Sequence, residues 1–138
     1  MAYDTDNIFA RILRGELPKV ALYEDDLTLA FLDVAPATEG HALVIPKEAA
    51  ETIFDLSSEG AAATIRTTQK VAAAVKTALG CPGVMLVQLN DKAAGQSVPH
   101  LHFHILPRQH GLDMNFHGRK MVDPKTLMPI AEKIRAAL

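Results

Sequence analysis

The chain has 138 residues, 49% of them hydrophobic and 22% charged, with a net charge of −2 and one cysteine. This length and composition suit a single domain spanning residues 1–138. The charge balance does not suggest the basic face that nucleic-acid binding needs, and Cys81 alone excludes an intrachain disulfide.

The opening MAYDTDNIFARILRGELP is polar and acidic before its first apolar residues, unlike a secretory leader. No apolar run approaches the ~18 residues that cross a bilayer, so a reducing cytoplasm is the expected setting. Asp6 or Asn7 can cap a short helix through Ile8, Phe9, Ile12 and Leu13, which Gly15 ends. Val20–Tyr23 and Leu27–Leu32 read as strands, and the acidic link Glu24-Asp25-Asp26 predicts a hairpin between them. Gly40 leads into the apolar strand HALVIP, closed by Pro46. Ser57 or Ser58 opens the longest helix, with Ile65, Thr68, Ala72, Val75 and Leu79 on one side and Gly80 and Pro82 at its end. Val84–Leu89 is a strand, 90–95 a turn and 98–106 the last strand; 109–122 reads as a loop. Asp123-Pro124 opens a final helix near the C-terminus, with Pro129 expected to weaken its first turns. Five strands mostly in succession, with helices at the start, middle and end, predict an α+β domain. It is a five-stranded antiparallel sheet with a long central helix, short terminal helices, and helices on one side.

The stretch PHLHFHILPR places His100, His102 and His104 at every second position. Alternate residues of a strand share a face at ~6.6 Å spacing, which predicts a row about 13 Å long with Leu101, Phe103 and Ile105 behind it. One reading of the row is a face that meets solvent. Zinc is another: neighbouring rings can converge on a metal, but the outer two are too far apart on a regular strand, and Asp91 is the only acid between Val84 and Leu112. A third is phosphorus chemistry. A histidine with a free pKa of ~6.5 is largely neutral near pH 7 and offers one lone pair while its other nitrogen is pinned. Flanking rings can then hold phosphoryl oxygens or supply a proton. The turn Ala94-Gly95-Gln96-Ser97 could face the same phosphate through its N–H groups, the Gln96 amide and the Ser97 hydroxyl. Ordinary turn geometry accounts for Gly95 equally well.

These residues resemble the histidine-triad (HIT) family, whose pattern His-x-His-x-His follows Gly-Gln-Ser/Thr-Val and stands here as GQSVPHLHFHILPR. GHALVIPK at 40–47 is similar to a conserved family strand, and NIFARILRGELP with YEDDLTLAFLDVAP is similar to the amino-terminal part. The resemblance covers residues 6–108 as the core, leaving a C-terminal loop and helix at 109–138. It implies a hydrolase or transferase acting at the α-phosphorus of a purine nucleotide derivative of AMP or GMP type; no cofactor is expected, and the scarcity of acids near the row reads as a site without metal. His102 would be the nucleophile, forming a nucleotidyl-histidine intermediate. His100 and His104 would flank the phosphate, and His41 would orient the row. Gly95, Gln96, Ser97 and Asn90 would contact phosphate, and Asp33 would accept the ribose hydroxyls. Ile8, Phe9, Ile12, Phe31 and Val34 would hold the base; core packing explains the same residues. Asp33 with the NIF…RGELP start resembles the nucleoside phosphoramidase branch, with dinucleoside polyphosphate hydrolysis or non-catalytic nucleotide sensing as alternatives. Family members are commonly homodimers.

The chain departs from the family in places. Asn7 and Ala10 stand where many members carry zinc-binding cysteines, and the tail lacks the tryptophan-bearing end of the animal proteins. His110 and His117 read as surface residues, and Arg119 and Lys120 either are solvated or reach a polyphosphate.

Overall fold

The computed structural model describes residues 2–111 and 119–138. Helix α1 spans Ile8–Leu13, and the Asn7 side chain caps it by accepting from the N–H groups of Phe9 and Ala10. Strands β1 (Ala21–Glu24), β2 (Thr28–Leu32) and β3 (Ala42–Pro46) follow, then helix α2 (Ser58–Leu79). Strands β4 (Gly83–Gln88) and β5 (Phe103–Arg108) come next, and helix α3 (Met128–Ala137) is last. The five strands form one sheet in the order β1-β2-β3-β5-β4, with every neighbouring pair antiparallel. This is the expected α+β architecture with a long central helix. The β1–β2 link turns tightly because the Asp25 carboxylate accepts from the N–H groups of Leu27 and Thr28. Among the described residues, no helix is long and apolar enough to cross a membrane.

The helices do not all lie on one side. Helices α2 and α3 cover the face built from Leu22, Ala30, Leu32, Ala42, Val44 and Ile105. Helix α1 packs on the opposite face, Phe9 and Ile12 against Leu29, Phe31, Leu43 and Ile45. The reason is in β2 and β3, all of whose residues are buried, so both faces need cover. A single helix on the second face leaves part of it open, and that is where the site forms.

Other expectations shift in detail. The buried side of α2 carries Ala63, Thr64, Thr67, Thr68, Val71, Ala74 and Val75, whereas Ile65 is exposed. Buried threonines disguise this face: the Thr64 and Thr68 hydroxyls donate to the carbonyls of Gly60 and Thr64, and Thr67 pairs with Thr28. Pro129 does not weaken the last helix. A 3₁₀ turn capped by Asp123 occupies Pro124–Leu127, and α3 starts at Met128, placing Pro129 in the first turn, where a missing N–H costs nothing.

Strand β5 begins at Phe103 rather than 98. Pro99 has no N–H for a ladder. The N–H of His100 donates to the Val98 carbonyl, and that of Leu101 to Ala50. Only His104 of the three lies within the strand; His100 and His102 sit in the irregular approach to it.

Gly40, which delivers His41 to β3, has φ +85°, and a Cβ there would collide with Leu79 Cδ1 and press on Pro107 Cγ at 3.2 Å. Gly40→Ala should lower unfolding stability by about 1–3 kcal/mol, read from urea midpoints.

Candidate functional site

The open part of the α1 face is a cleft of about 270 Å³. Ile8, Phe9 and Ile12 from α1, Phe31 from β2, and Asp33 and Val34 just after it contribute to its walls. Ser97, His102 and His104 form the opposite side, with Leu43 and Val98. Nine of the candidate site residues thus converge on one cavity with Arg119, and the Phe9 and His102 rings meet in a T-shaped pair with centroids 4.9 Å apart. A separate cleft of about 380 Å³ between the β1–β2 hairpin and α2 holds no imidazole.

Backbone partners decide which nitrogen of each imidazole carries hydrogen. His102 Nδ1 lies 2.7 Å from the His100 carbonyl oxygen, which can only accept, so Nδ1–H donates and Nε2 keeps the lone pair. His41 Nδ1 accepts from the Ala37 N–H at 3.0 Å, so its hydrogen is on Nε2. That Nε2–H donates to His104 Nδ1 at 2.9 Å, which places the hydrogen of neutral His104 on Nε2. His100 is fully buried; its Nε2–H donates to the Pro46 carbonyl at 2.8 Å, and its Nδ1 accepts from the Tyr3 hydroxyl. Among the described residues, no buried side-chain nitrogen or oxygen lacks a partner.

Burial is the main cause that pushes all four imidazoles below their ordinary value, because it disfavours the charged ring. His41 and His100 fall to about 4 and His104 to about 2; His102 is also lowered. The Asp33 charge opposes the shift at His41 and His102, and the Arg119 charge reinforces it at His41, His102 and His104. The row is therefore neutral at pH 7, with a lone pair on His102 and donor hydrogens on its neighbours.

The structure moves several expected residues out of direct reach of the cleft. Both ring nitrogens of His100 are taken by Pro46 and Tyr3, so the ring does not flank a phosphate, although its carbonyl orients His102. The Gln96 amide accepts from Asp91 N–H and donates to the carbonyls of Glu51 and Val98, tying the turn down. Asn90 accepts from Ile53 N–H and exchanges hydrogen bonds with Gln88. Gly95, at φ +97°, serves the turn itself. Ser97 is the one member of this turn that lines the cleft. His41, expected to orient the row, stands behind His104 and bonds to it. His110 is exposed, and His117 lies outside the described residues.

One contributor escaped the sequence, and a second was named there with a different partner. Tyr3 sits 97 positions from the His100 it bonds, and nothing local signals that contact. Arg119 lines the cleft and its Nη1 lies 2.8 Å from Asp33 Oδ2, so it is not a purely solvated residue. Asp33, His41 and His104 are the described group whose ligand atoms could gather round a metal, all within 4.8 Å. As found, that space is used by the hydrogen bond between the two rings and by the Asp33–Arg119 pair.

The family description "HIT domain" matches residues 14–111. The chain belongs to the HIT domain family. Among HIT relatives, adenosine 5'-monophosphoramidase hnt1 of Schizosaccharomyces pombe is 37% identical over 134 residues, 95% of this chain and 97% of its own. Adenylylsulfatase HINT3 of Arabidopsis thaliana is 38% identical over 104 residues, 75% of this chain and 53% of its own. The crystal structure of a Hit-like protein from Bartonella henselae, described as involved in cell-cycle regulation and as holding an unknown ligand, superposes with a TM-score of 0.96. It is 43% identical, with 100% of each chain covered.

The neutral HIT histidines make folding pH-dependent. Their folded values lie below the ordinary 6.5, so the unfolded chain binds more protons once the pH falls below 6.5. The stability they contribute is complete above 6.5 and drains away as pH drops toward about 4. Urea midpoints measured from pH 7.5 to 4.5 should fall accordingly. In His100→Gln the slope should flatten by about one proton, roughly 1.4 kcal/mol per pH unit; an unchanged slope would mean that native His100 takes up its proton as readily as it does in the unfolded chain.

Proposed function

We propose that this protein is a nucleotide hydrolase that cleaves nucleoside 5′-phosphoramidates through a covalent intermediate on His102. One observation carries the reading: the His100 carbonyl fixes the hydrogen of His102 on Nδ1 and so leaves the Nε2 lone pair on a ring that lines the cleft. The names of two relatives, a monophosphoramidase and an adenylylsulfatase, share an adenylyl group with different leaving groups, which suits attack at the α-phosphorus.

In the first step, the Nε2 lone pair forms a bond to phosphorus, and the P–N bond breaks with its electrons going to nitrogen. The departing amine takes up one proton from water. His102 then carries the nucleotidyl group as an imidazolium, whose Nδ1–H stays bonded to the His100 carbonyl, a charge-assisted contact. His104, with its hydrogen on Nε2, donates to a phosphoryl oxygen, and His41 holds His104 in that tautomer. In the second step water adds to phosphorus, the P–Nε2 bond breaks, and the proton lost by water balances the one taken up earlier. Ser97 contacts the phosphate. Asp33 accepts the ribose hydroxyls, and Ile8, Phe9, Ile12, Phe31 and Val34 hold a purine base.

Assaying adenosine 5′-phosphoramidate and a diadenosine polyphosphate side by side tests this assignment, with the phosphoramidate expected to be the better substrate. His102→Ala should lose at least about 10³-fold in turnover while still binding AMP. An alkaline quench of the wild type should place the added mass on His102. An adduct on another residue, or preference for the polyphosphate, would overturn the assignment; AMP binding with no turnover of either substrate would leave a nucleotide sensor.

We also infer that the protein is a homodimer. Support comes from β4, an edge strand with apolar sequence GVMLVQ on which Met85 and Leu86, pointing to opposite faces, are 42% and 49% exposed. Leu86→Lys should shift the sedimentation coefficient from dimer to monomer; a monomeric wild type would refute the inference.

A further inference from the structure

We propose that Arg119 sets ribose selectivity by holding the Asp33 carboxylate, so that residues 119–122 form part of the nucleoside pocket. The inference rests on the function proposed above and adds a positioning residue to it.

The carboxylate of Asp33 is held from two directions. Its Oδ1 accepts from the Ala35 N–H at 2.8 Å, and its Oδ2 accepts from Arg119 Nη1 at 2.8 Å. The backbone beneath is fixed too, because the Asp33 N–H donates to the His41 carbonyl at 2.9 Å. An ionised carboxylate has about four acceptor positions. Two are used by hydrogen bonds, with His41 Nε2 a further 3.6 Å from Oδ2, which leaves acceptors for two vicinal hydroxyls on a carboxylate whose rotation is restrained. A carboxylate held only at Oδ1 would swing and lose the second hydroxyl.

Arg119 is brought there by backbone pairing. The Val122 N–H donates to the Val34 carbonyl at 2.8 Å, one residue beyond Asp33. Arg119 and Met121 both line the cleft, so the segment is fastened at its two ends and presents side chains to the cavity between them. Both partners of the ion pair are largely sheltered, with side-chain exposures of 20% and 12%, where a charge-assisted pair is screened less than on the surface. Arg119 also offsets the negative charge of Asp33, which otherwise faces an incoming phosphate in a cleft whose imidazoles are neutral. A guanidinium suits the role because its planar fork keeps its direction, which an ammonium does not.

The test compares adenosine 5′-phosphoramidate with its 2′,3′-dideoxy counterpart in the wild type, Arg119→Gln, Arg119→Lys and Asp33→Asn. Arg119→Gln should lower the ribo-to-dideoxy ratio of kcat/KM about tenfold, the size expected for one lost bond to a charged group. Most of that loss should fall on the ribo substrate, and Arg119→Lys should lie between Gln and wild type. Adding Arg119→Gln to Asp33→Asn should not lower the ratio further. Equal losses on both substrates would reduce Arg119 to a phosphate contact or a piece of wall, and an unchanged ratio would remove it from recognition; either result overturns the proposal. If the wild type hydrolyses neither compound, the proposed activity fails separately. Calorimetric affinities for AMP and 2′,3′-dideoxy-AMP then read the same ratio, and loss of AMP binding itself would refute Arg119's role as well.

Discussion

An imidazole taken out of water must find a partner for each nitrogen or leave one open to a ligand, and that constraint organises this protein. The bond from His102 Nδ1–H to the His100 carbonyl determines that the lone pair of this ring lies on Nε2. It depends on the irregular backbone at 98–102. In a regular ladder that carbonyl would face a neighbouring strand instead of the side chain two residues on. Pro99, and the donation of Leu101 N–H to Ala50, keep the segment out of the ladder.

Around this bond the other histidines divide the work. His100 is a buried strut from Pro46 to Tyr3. His41 and His104 form a relay whose polarity is set at its far end by the Ala37 N–H. Rings at every second position look equivalent in the sequence, yet only His102 and His104 reach the cleft. Burial, which keeps all four neutral, also draws the folded state's acid sensitivity from the same residues that serve the site.

The cleft exists because the sheet is covered unequally. Helices α2 and α3 close one face, whereas the six-residue α1 covers only part of the other. The uncovered part is lined by apolar side chains that also pack the core, so Phe9, Ile12 and Phe31 serve both purposes. On this face the Asp33–Arg119 pair joins the end of β2 to the C-terminal segment. The site is therefore a product of the whole fold and not of the histidine stretch alone.

Much of this was legible in the residues. Apolar runs bounded by turn-forming residues marked the strands, and the alternating histidines with GQSV before them marked the candidate site, because those signals are local. Asp33 and the α1 side chains could be named because they sit in stretches that resemble a family. What the sequence could not decide were the long-range pairings: Tyr3 with His100, Arg119 with Asp33, and Asn90 and Gln96 turned toward the protein instead of toward a ligand. A polar side chain carries no record of its partner in its own neighbourhood. Whether a histidine, an amide or a threonine hydroxyl serves a ligand or its own fold depends on which carbonyl the tertiary structure brings within 3 Å, and that is settled only when distant segments meet.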